Sequence, residues 1–208
     1  DRRKTNSLKW DVAENEIPLW VADMDFDTAP EIKNAILQRA NLGALGYADI
    51  NEQWRNAYIY WWKNRYNFEI KKEWLVFSTG VVPAISSSVR KLTTPGENVL
   101  ILTPTYNIFF NSIVNNGRNP VQCQLKYDGS IYEIDFEDLE EKLKDEQTSM
   151  MILCNPQNPV GKIWNKETLA KIGELCSRNN VVVFSDEIHC DITEPGKNYV
   201  PFASVNET

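Results

Sequence analysis

Val181-Val182-Val183-Phe184-Ser185-Asp186-Glu187-Ile188-His189 is a short apolar run that breaks abruptly into charge. A few consecutive aliphatic residues without polar alternation read as a strand buried on both faces. A carboxylate at the end of such a strand, Asp186, is disfavoured there unless it is paired or hydrogen-bonded. Working outward, runs of the same kind occur at Leu75–Ser78, Val99–Leu102, Val121–Leu125 and Met150–Cys154. The segments between them carry apolar residues at helical spacing. One face is Ile85, Val89 and Leu92, and a second is Phe109, Phe110, Ile113 and Val114. A third is Leu139 and Leu143 behind an N-cap at Asp135; a fourth is Leu169, Ile172 and Cys176 behind a cap at Asn165. Apolar strands alternating with helices give an α/β fold, a mostly parallel sheet with helices on both faces.

Residues 1–51 read as an N-terminal arm with one helix, and residues 52–208 as the sheet-bearing domain. In the arm, Thr28 and Glu31 have capping-box spacing, Pro30 suits the first turn, Ile32, Ile36, Leu37 and Ala40 share a face, and Gly43 offers a stop. A second helix is expected over Glu52–Tyr66, with a stripe of Trp54, Tyr58, Trp61 and Trp62 suited to packing.

The 208 residues are 42% hydrophobic and 25% charged, an ordinary globular balance. A net charge of −7 without a basic run argues against a nucleic-acid or anionic-membrane surface. No apolar stretch approaches the roughly 20 residues that span a bilayer, and no signal-peptide pattern opens the chain. Cys123, Cys154, Cys176 and Cys190 form no CxxC pair and read as reduced, buried thiols of a cytoplasmic protein.

Ligands of such sheets bind outside the carboxyl ends of the strands. The residues following the runs are Ser78-Thr79-Gly80-Val81-Val82-Pro83, Thr103-Pro104-Thr105-Tyr106, Asn155-Pro156-Gln157-Asn158-Pro159-Val160-Gly161 and Asp186-Glu187-Ile188-His189. Gly80 allows a sharp turn into a helix whose free amides near Val81 and Val82 favour an anion such as a phosphate, or the segment is simply a tight strand-to-helix turn. Neither GxGxxG nor a P-loop is present. Tyr106 suits stacking on a planar ring or filling the core edge; Asn158 suits donation to a ligand oxygen or turn formation. Asp186 suits a protonated ring nitrogen or a strand-end capping role. A metal set of Asp186, Glu187, His189, Cys190 and Asp191 is disfavoured, because His189 is the sole histidine and neighbours alternate faces.

Together these segments resemble the fold type I pyridoxal-phosphate enzymes, and within them the MalY/PatB branch of cystathionine β-lyase-like C–S lyases. The resemblance rests on Trp20-Val21-Ala22-Asp23-Met24-Asp25-Phe26, Gly46-Tyr47 and the four segments quoted above, which occur in family order along nearly the full chain. It implies that Gly80, Val81 and Val82 hold the phosphate of pyridoxal 5′-phosphate, that Tyr106 stacks on its ring, that Asn158 bonds the phenolic oxygen and that Asp186 pairs with the pyridine nitrogen. It implies that Tyr47 reaches the phosphate of a neighbouring subunit, hence a homodimer with shared sites acting on a small amino-acid substrate. His189 lies beside the site with no assigned step.

The resemblance also implies a Schiff-base lysine in a Ser-x-Ser-Lys-like segment, and no such segment occurs here. Lys197 is the only lysine after Asp186 and sits in Glu194-Pro195-Gly196-Lys197-Asn198; Lys162 is not used by the family for this purpose. The expectation is therefore a part of a longer protein, with a partial cofactor-binding large domain over 52–208, no C-terminal small domain, no catalytic residue of its own and no turnover alone. The leading function is a C–S β-lyase cleaving cysteine S-conjugates to thiol, pyruvate and ammonia. An aminotransferase on the same scaffold and a non-catalytic cofactor-binding or protein-interaction module are the alternatives.

Overall fold

The computed structural model describes residues 2–205. The chain divides into two compact units, with the boundary between Asp49 and Ile50.

In the first unit, the Asp23 and Asp25 carboxylates are held by the chain that precedes them. Arg2 Nη2 lies 2.6 Å from Asp23 Oδ2, while Lys9 Nζ and Trp10 Nε1 each lie 2.6 Å from Asp25. Lys9 is itself buried, and its ammonium chiefly, with the Trp10 indole N–H, lowers the Asp25 pKa to about 2. Helix α1 spans Pro30–Asn41 with Pro30 in the first turn. Its N-cap is Ala29 and carries no side-chain cap, so the expected Thr28–Glu31 box does not form. The helix begins one residue later than that box requires, because Pro30 supplies the fixed φ suited to N1. Gly43 follows the helix at φ 73°, in the left-handed region that favours glycine. No residue of α1 is buried, and Ile32, Ile36 and Leu37 are exposed.

The second unit opens with α2, Glu52–Tyr66, at the expected bounds. The Asn51 side chain accepts from Trp54 N at 2.9 Å, and Asn67 in the left-handed conformation ends the helix. Helix α3 (Val81–Leu92) leads into β1 (Asn98–Thr103), then α4 (Asn107–Val114) and β2 (Asn119–Gln124). A small hairpin, β3 (Lys126–Tyr127) and β4 (Tyr132–Glu133), was not foreseen from the sequence; it precedes α5 (Phe136–Leu143), β5 (Thr148–Cys154), α6 (Lys166–Arg178) and β6 (Val182–Asp186). The main sheet has the order β2-β1-β5-β6, and every pairing in it is parallel.

Strand alternation divides the core between the two faces of that sheet. Leu100, Leu102, Met151 and Leu153 meet Leu139 and Leu143 of α5 and Leu169, Ile172 and Cys176 of α6. Their neighbours Val99, Ile101, Met150 and Ile152 meet Ile85 and Val89 of α3 and Phe109 and Ile113 of α4. Helices thus cover both faces, as expected. Asp135 and Asn165 cap α5 and α6 by accepting from Asp138 N and Thr168 N.

One expected strand is not one. Leu75–Ser78 has no regular structure and no ladder partner; Val76 is 87% exposed and Phe77 52%. A strand is defined by a neighbouring strand's hydrogen bonds, and among the described residues no strand pairs with this run. The aromatic stripe of α2 also departs from a purely packing role: Trp54 and Trp62 are partly buried, while Tyr58 and Trp61 remain exposed. All four cysteines are buried free thiols. Burial pushes Cys123, Cys154 and Cys176 up to about 12, which keeps them from acting as thiolates near neutrality. Among the described residues, no helix is long and apolar enough to cross a membrane.

Candidate functional site

The order β2-β1-β5-β6 places a topological switch point between β1 and β5. From β1 the chain turns through α4 to β2 on one side, and it returns to β5 and β6 on the other. Loops leaving the carboxyl ends of β1 and β5 diverge there, and the gap between them is where open α/β sheets bind ligands. Pairing of β1 with β5 ends at Ile101–Ile152, whereas pairing of β5 with β6 continues to Cys154–Asp186, and Asn155 N then bonds Asp186 O at 3.0 Å. The sheet is therefore open on one side of β5 and closed on the other.

Three expected site residues occupy this rim because their strands are parallel. Tyr106 follows β1 as the N-cap residue of α4; the residue is 40% exposed, and its ring is edge-on to Phe109 at 6.0 Å. Asn158 follows β5 in a turn closed by Gln157 N to Lys162 O at 2.7 Å and Gly161 N to Gln157 O at 2.8 Å. Gly161 has φ 71°, which explains a glycine there. The Asn158 carboxamide has no partner among the described residues, and its backbone N–H reaches Cys154 Sγ at 3.5 Å.

Asp186 ends β6 and is 6% exposed. Its Oδ1 accepts from Ile188 N at 3.2 Å, and no salt bridge reaches it among the described residues. Burial raises its pKa; the Ile188 N–H and the nearby His189 oppose that shift without cancelling it.

The first turn of α3 reaches the same rim. The helix runs back along the sheet and joins β1 through a short connection, so its N-terminus lies at the strands' carboxyl end. Val81 and Ala84 border a cavity of about 580 Å³ together with Phe184 and Asp186, with Trp54 and Tyr58 of α2 on the other side. Neither Tyr106 nor Asn158 lines that cavity. The N-terminus carries no side-chain cap, which leaves the Val81 and Val82 amides free for an anion. Gly80 has φ 169° and ψ 169°, an extended conformation open to any residue, and a Cβ there would meet Pro83 Cδ at an ordinary 3.6 Å. The sharp turn expected of Gly80 is thus not what the backbone makes. Tyr47 belongs to the first unit and is fully exposed. Lys162 lies over the Trp164 ring at 5.9 Å, and Lys197 is exposed. No cluster of metal-binding side chains occurs among the described residues.

Sequence reasoning missed how this rim is braced. Asn155 is fully buried, accepts from Trp164 N at 3.1 Å and shares two hydrogen bonds with the Tyr199 hydroxyl. Glu187 accepts from Ser185 Oγ at 2.8 Å and Phe202 N at 2.9 Å, and burial raises its pKa. Asp191 receives Trp61 Nε1 at 3.2 Å, Arg65 Nε at 2.6 Å and the Tyr66 hydroxyl, all from α2. These partners are up to 130 positions away in the chain, so no local pattern announces them.

Comparison with known proteins places this geometry. The family model for aminotransferase class I and II matches residues 14–207. The chain is 39% identical to cystathionine beta-lyase PatB of Bacillus subtilis (strain 168), covering 100% of this chain and 55% of PatB. It is 32% identical to Protein MalY of Escherichia coli (strain K12), covering 99% of this chain and 54% of MalY. Cystalysin from Treponema denticola, whose crystal structure contains pyridoxal 5′-phosphate, superposes with a TM-score of 0.94 at 35% identity over 99% of this chain and 54% of that one. The chain thus spans about half the length of these relatives. With the sheet order, the paired helical layers and a family match over nearly all its residues, the chain belongs to the class I and II aminotransferase family.

Proposed function

We propose that this chain forms the cofactor-holding rim of a pyridoxal-phosphate-dependent C–S β-lyase of the MalY/PatB kind, acting on cysteine S-conjugates. The observation that carries the reading is Asp186: a buried carboxylate at the end of a parallel strand with one backbone hydrogen bond and no salt bridge among the described residues. Burying such a group is costly unless a cation meets it. A protonated pyridine nitrogen is that cation, so the residues present fit the cofactor. The uncapped start of α3 fits its phosphate.

In this reading Asp186 keeps the ring nitrogen protonated, and Asn158 donates its carboxamide N–H to the phenolic oxygen. Tyr106 covers one ring face, and Gly80, Val81 and Val82 present amides to the phosphate. When bound, the cofactor supplies an electron sink for negative charge at the α-carbon of an amino-acid substrate. Residues 1–51 serve as an arm and 52–208 as part of the large domain. The working form is a cytoplasmic homodimer in which Tyr47 of a second copy reaches the phosphate. Support comes from the 39% identity to PatB and the TM-score of 0.94 to cystalysin.

Pyridoxal-phosphate binding to the purified chain, followed by fluorescence, tests the reading. Asp186→Ala is expected to weaken binding about tenfold or more, the worth of one good charged contact; unchanged affinity contradicts it. The 208 residues hold no Ser-x-Ser-Lys-like segment, so no pyruvate release from cystathionine is expected of them alone. Release at the rate of an intact relative would refute that point. The match to an aminotransferase family favours transamination as the second reading. Amino transfer to 2-oxoglutarate without pyruvate formation, measured in a protein carrying the lysine segment, would select it.

A further inference from the structure

Gln157 lies between Pro156 and Asn158 and is 1% exposed. Its Nε2 donates to Leu102 O at 3.1 Å and to Pro104 O at 2.9 Å. Both acceptors lie just past the point where β1 and β5 cease to pair, at Ile101–Ile152. The side chain therefore continues across the opening gap a hydrogen-bond ladder that the backbones have abandoned. The carboxamide orientation is fixed by this environment: turning it over would set Oε1 against two carbonyl oxygens. In the observed orientation Oε1 is buried and has no donor among the described residues. A buried group held at that cost is poorly explained as general stabilisation.

We propose that Gln157 is a positioning residue, which ties the loop bearing Tyr106 to the turn bearing Asn158 so that both meet one planar ligand in a fixed register. The inference rests on the cofactor reading above for the identity of that ligand, but the tie itself stands on the two hydrogen bonds. On the β6 side Asn155 plays the complementary part. Its N–H to Asp186 O anchors the turn to the strand that ends in the buried acid, and its side chain, accepting from Trp164 N, closes the turn on itself. The two amide side chains flanking Pro156 thus have different partners, one at the end of β1 and one at Tyr199.

The test compares the wild-type chain with Gln157→Leu, which keeps bulk and removes both the donor and the orphaned acceptor, and with Gln157→His, which retains an N–H donor. Amide hydrogen exchange is read for residues 103–109 and 157–161 against the strand interiors at Leu100–Ile101 and Met151–Ile152. Gln157→Leu is expected to speed exchange in both loops about tenfold or more, with the strand amides unchanged, because the carbonyls that lose their donor, Leu102 O and Pro104 O, lie where β1 gives way to its loop. Gln157→His is expected to restore much of the protection. Pyridoxal-phosphate affinity is expected to fall about tenfold in Gln157→Leu and to recover in Gln157→His. Wild-type exchange in residues 103–109 of Gln157→Leu, or a uniform loosening of loops and strands alike, would overturn the proposal. Loosening of both loops in a protein whose wild-type form binds no pyridoxal phosphate would uphold the tie and overturn the cofactor reading alone.

Discussion

Val99–Leu102 and Leu75–Ser78 are chemically similar runs with opposite fates. The first is 0–1% exposed, flanked by β2 and β5 and covered by helices on both faces. The second has no strand partner among the described residues, and Val76 is 87% exposed. Between them stands β6, paired among the described residues only with β5, whose own residues run from exposed Val182 to buried Asp186. The order of burial follows the number of neighbouring strands rather than the hydrophobicity of the run. What a strand contributes is set by its partners, since apolar burial scales with area removed from water.

The comparison can be broken most readily at its buried end. Leu100→Ala is expected to cost about 2–5 kcal/mol in denaturant-induced unfolding, the usual range for a core leucine truncation. A cost below that range would mean that the sheet centre is looser than its burial implies. The carboxyl end of β6 gives the next effect. Burial raises the Asp186 pKa, so the folded chain keeps a proton there that the unfolded chain has released. Stability is accordingly lost as pH rises from the ordinary carboxylate range through the raised value, and Asp186→Asn should flatten that part of the profile. Asp25 behaves with the opposite sign. Lys9 and Trp10 hold its pKa at about 2, so its contribution is present above the ordinary aspartate range and fades as pH falls toward that value. Lys9→Met should weaken this acid-side dependence in pH titrations of the fold, leaving the part held by Trp10 and Arg2.

Smaller effects sharpen the picture. Asn165→Ala removes an observed cap and should cost about 1 kcal/mol, whereas Thr28→Ala removes a cap that does not form and should leave stability unchanged. Val76→Ala should fall within about 0.5 kcal/mol of wild type in the same unfolding measurement, the ordinary range of surface changes. A loss comparable with that of Leu100→Ala would show that the exposed run is packed in solution.

Most of the fold was legible because its signals are local. The bounds of α2 follow from its helical spacing, the caps of α5 and α6 from Asp135 and Asn165, and the parallel sheet from four apolar runs alternating with helices. The run at Leu75 was misread because its local signal matches that of Val99, and only a missing neighbour separates them. The hairpin of β3 and β4, two residues per strand, is too short to leave a pattern. At the rim, Tyr106, Asn158 and Asp186 could be picked out because each directly follows or ends a strand. The groups that brace them, Gln157, Asn155 and Asp191, each have a partner 44 or more positions distant: Gln157 reaches Leu102 across 55, Asn155 reaches Tyr199 across 44 and Asp191 meets Trp61 across 130. Such contacts exist only once the strands are ordered in space.

The central claim is that Asp186 faces the pyridine nitrogen of a bound cofactor. Nitrogen-15 NMR of pyridoxal phosphate labelled at that nitrogen, bound to the wild-type chain and to Asp186→Asn at the same pH, tests it directly. A ring nitrogen that is protonated in the wild-type complex and loses that proton in the variant is the predicted result; one with the same protonation in both would contradict it.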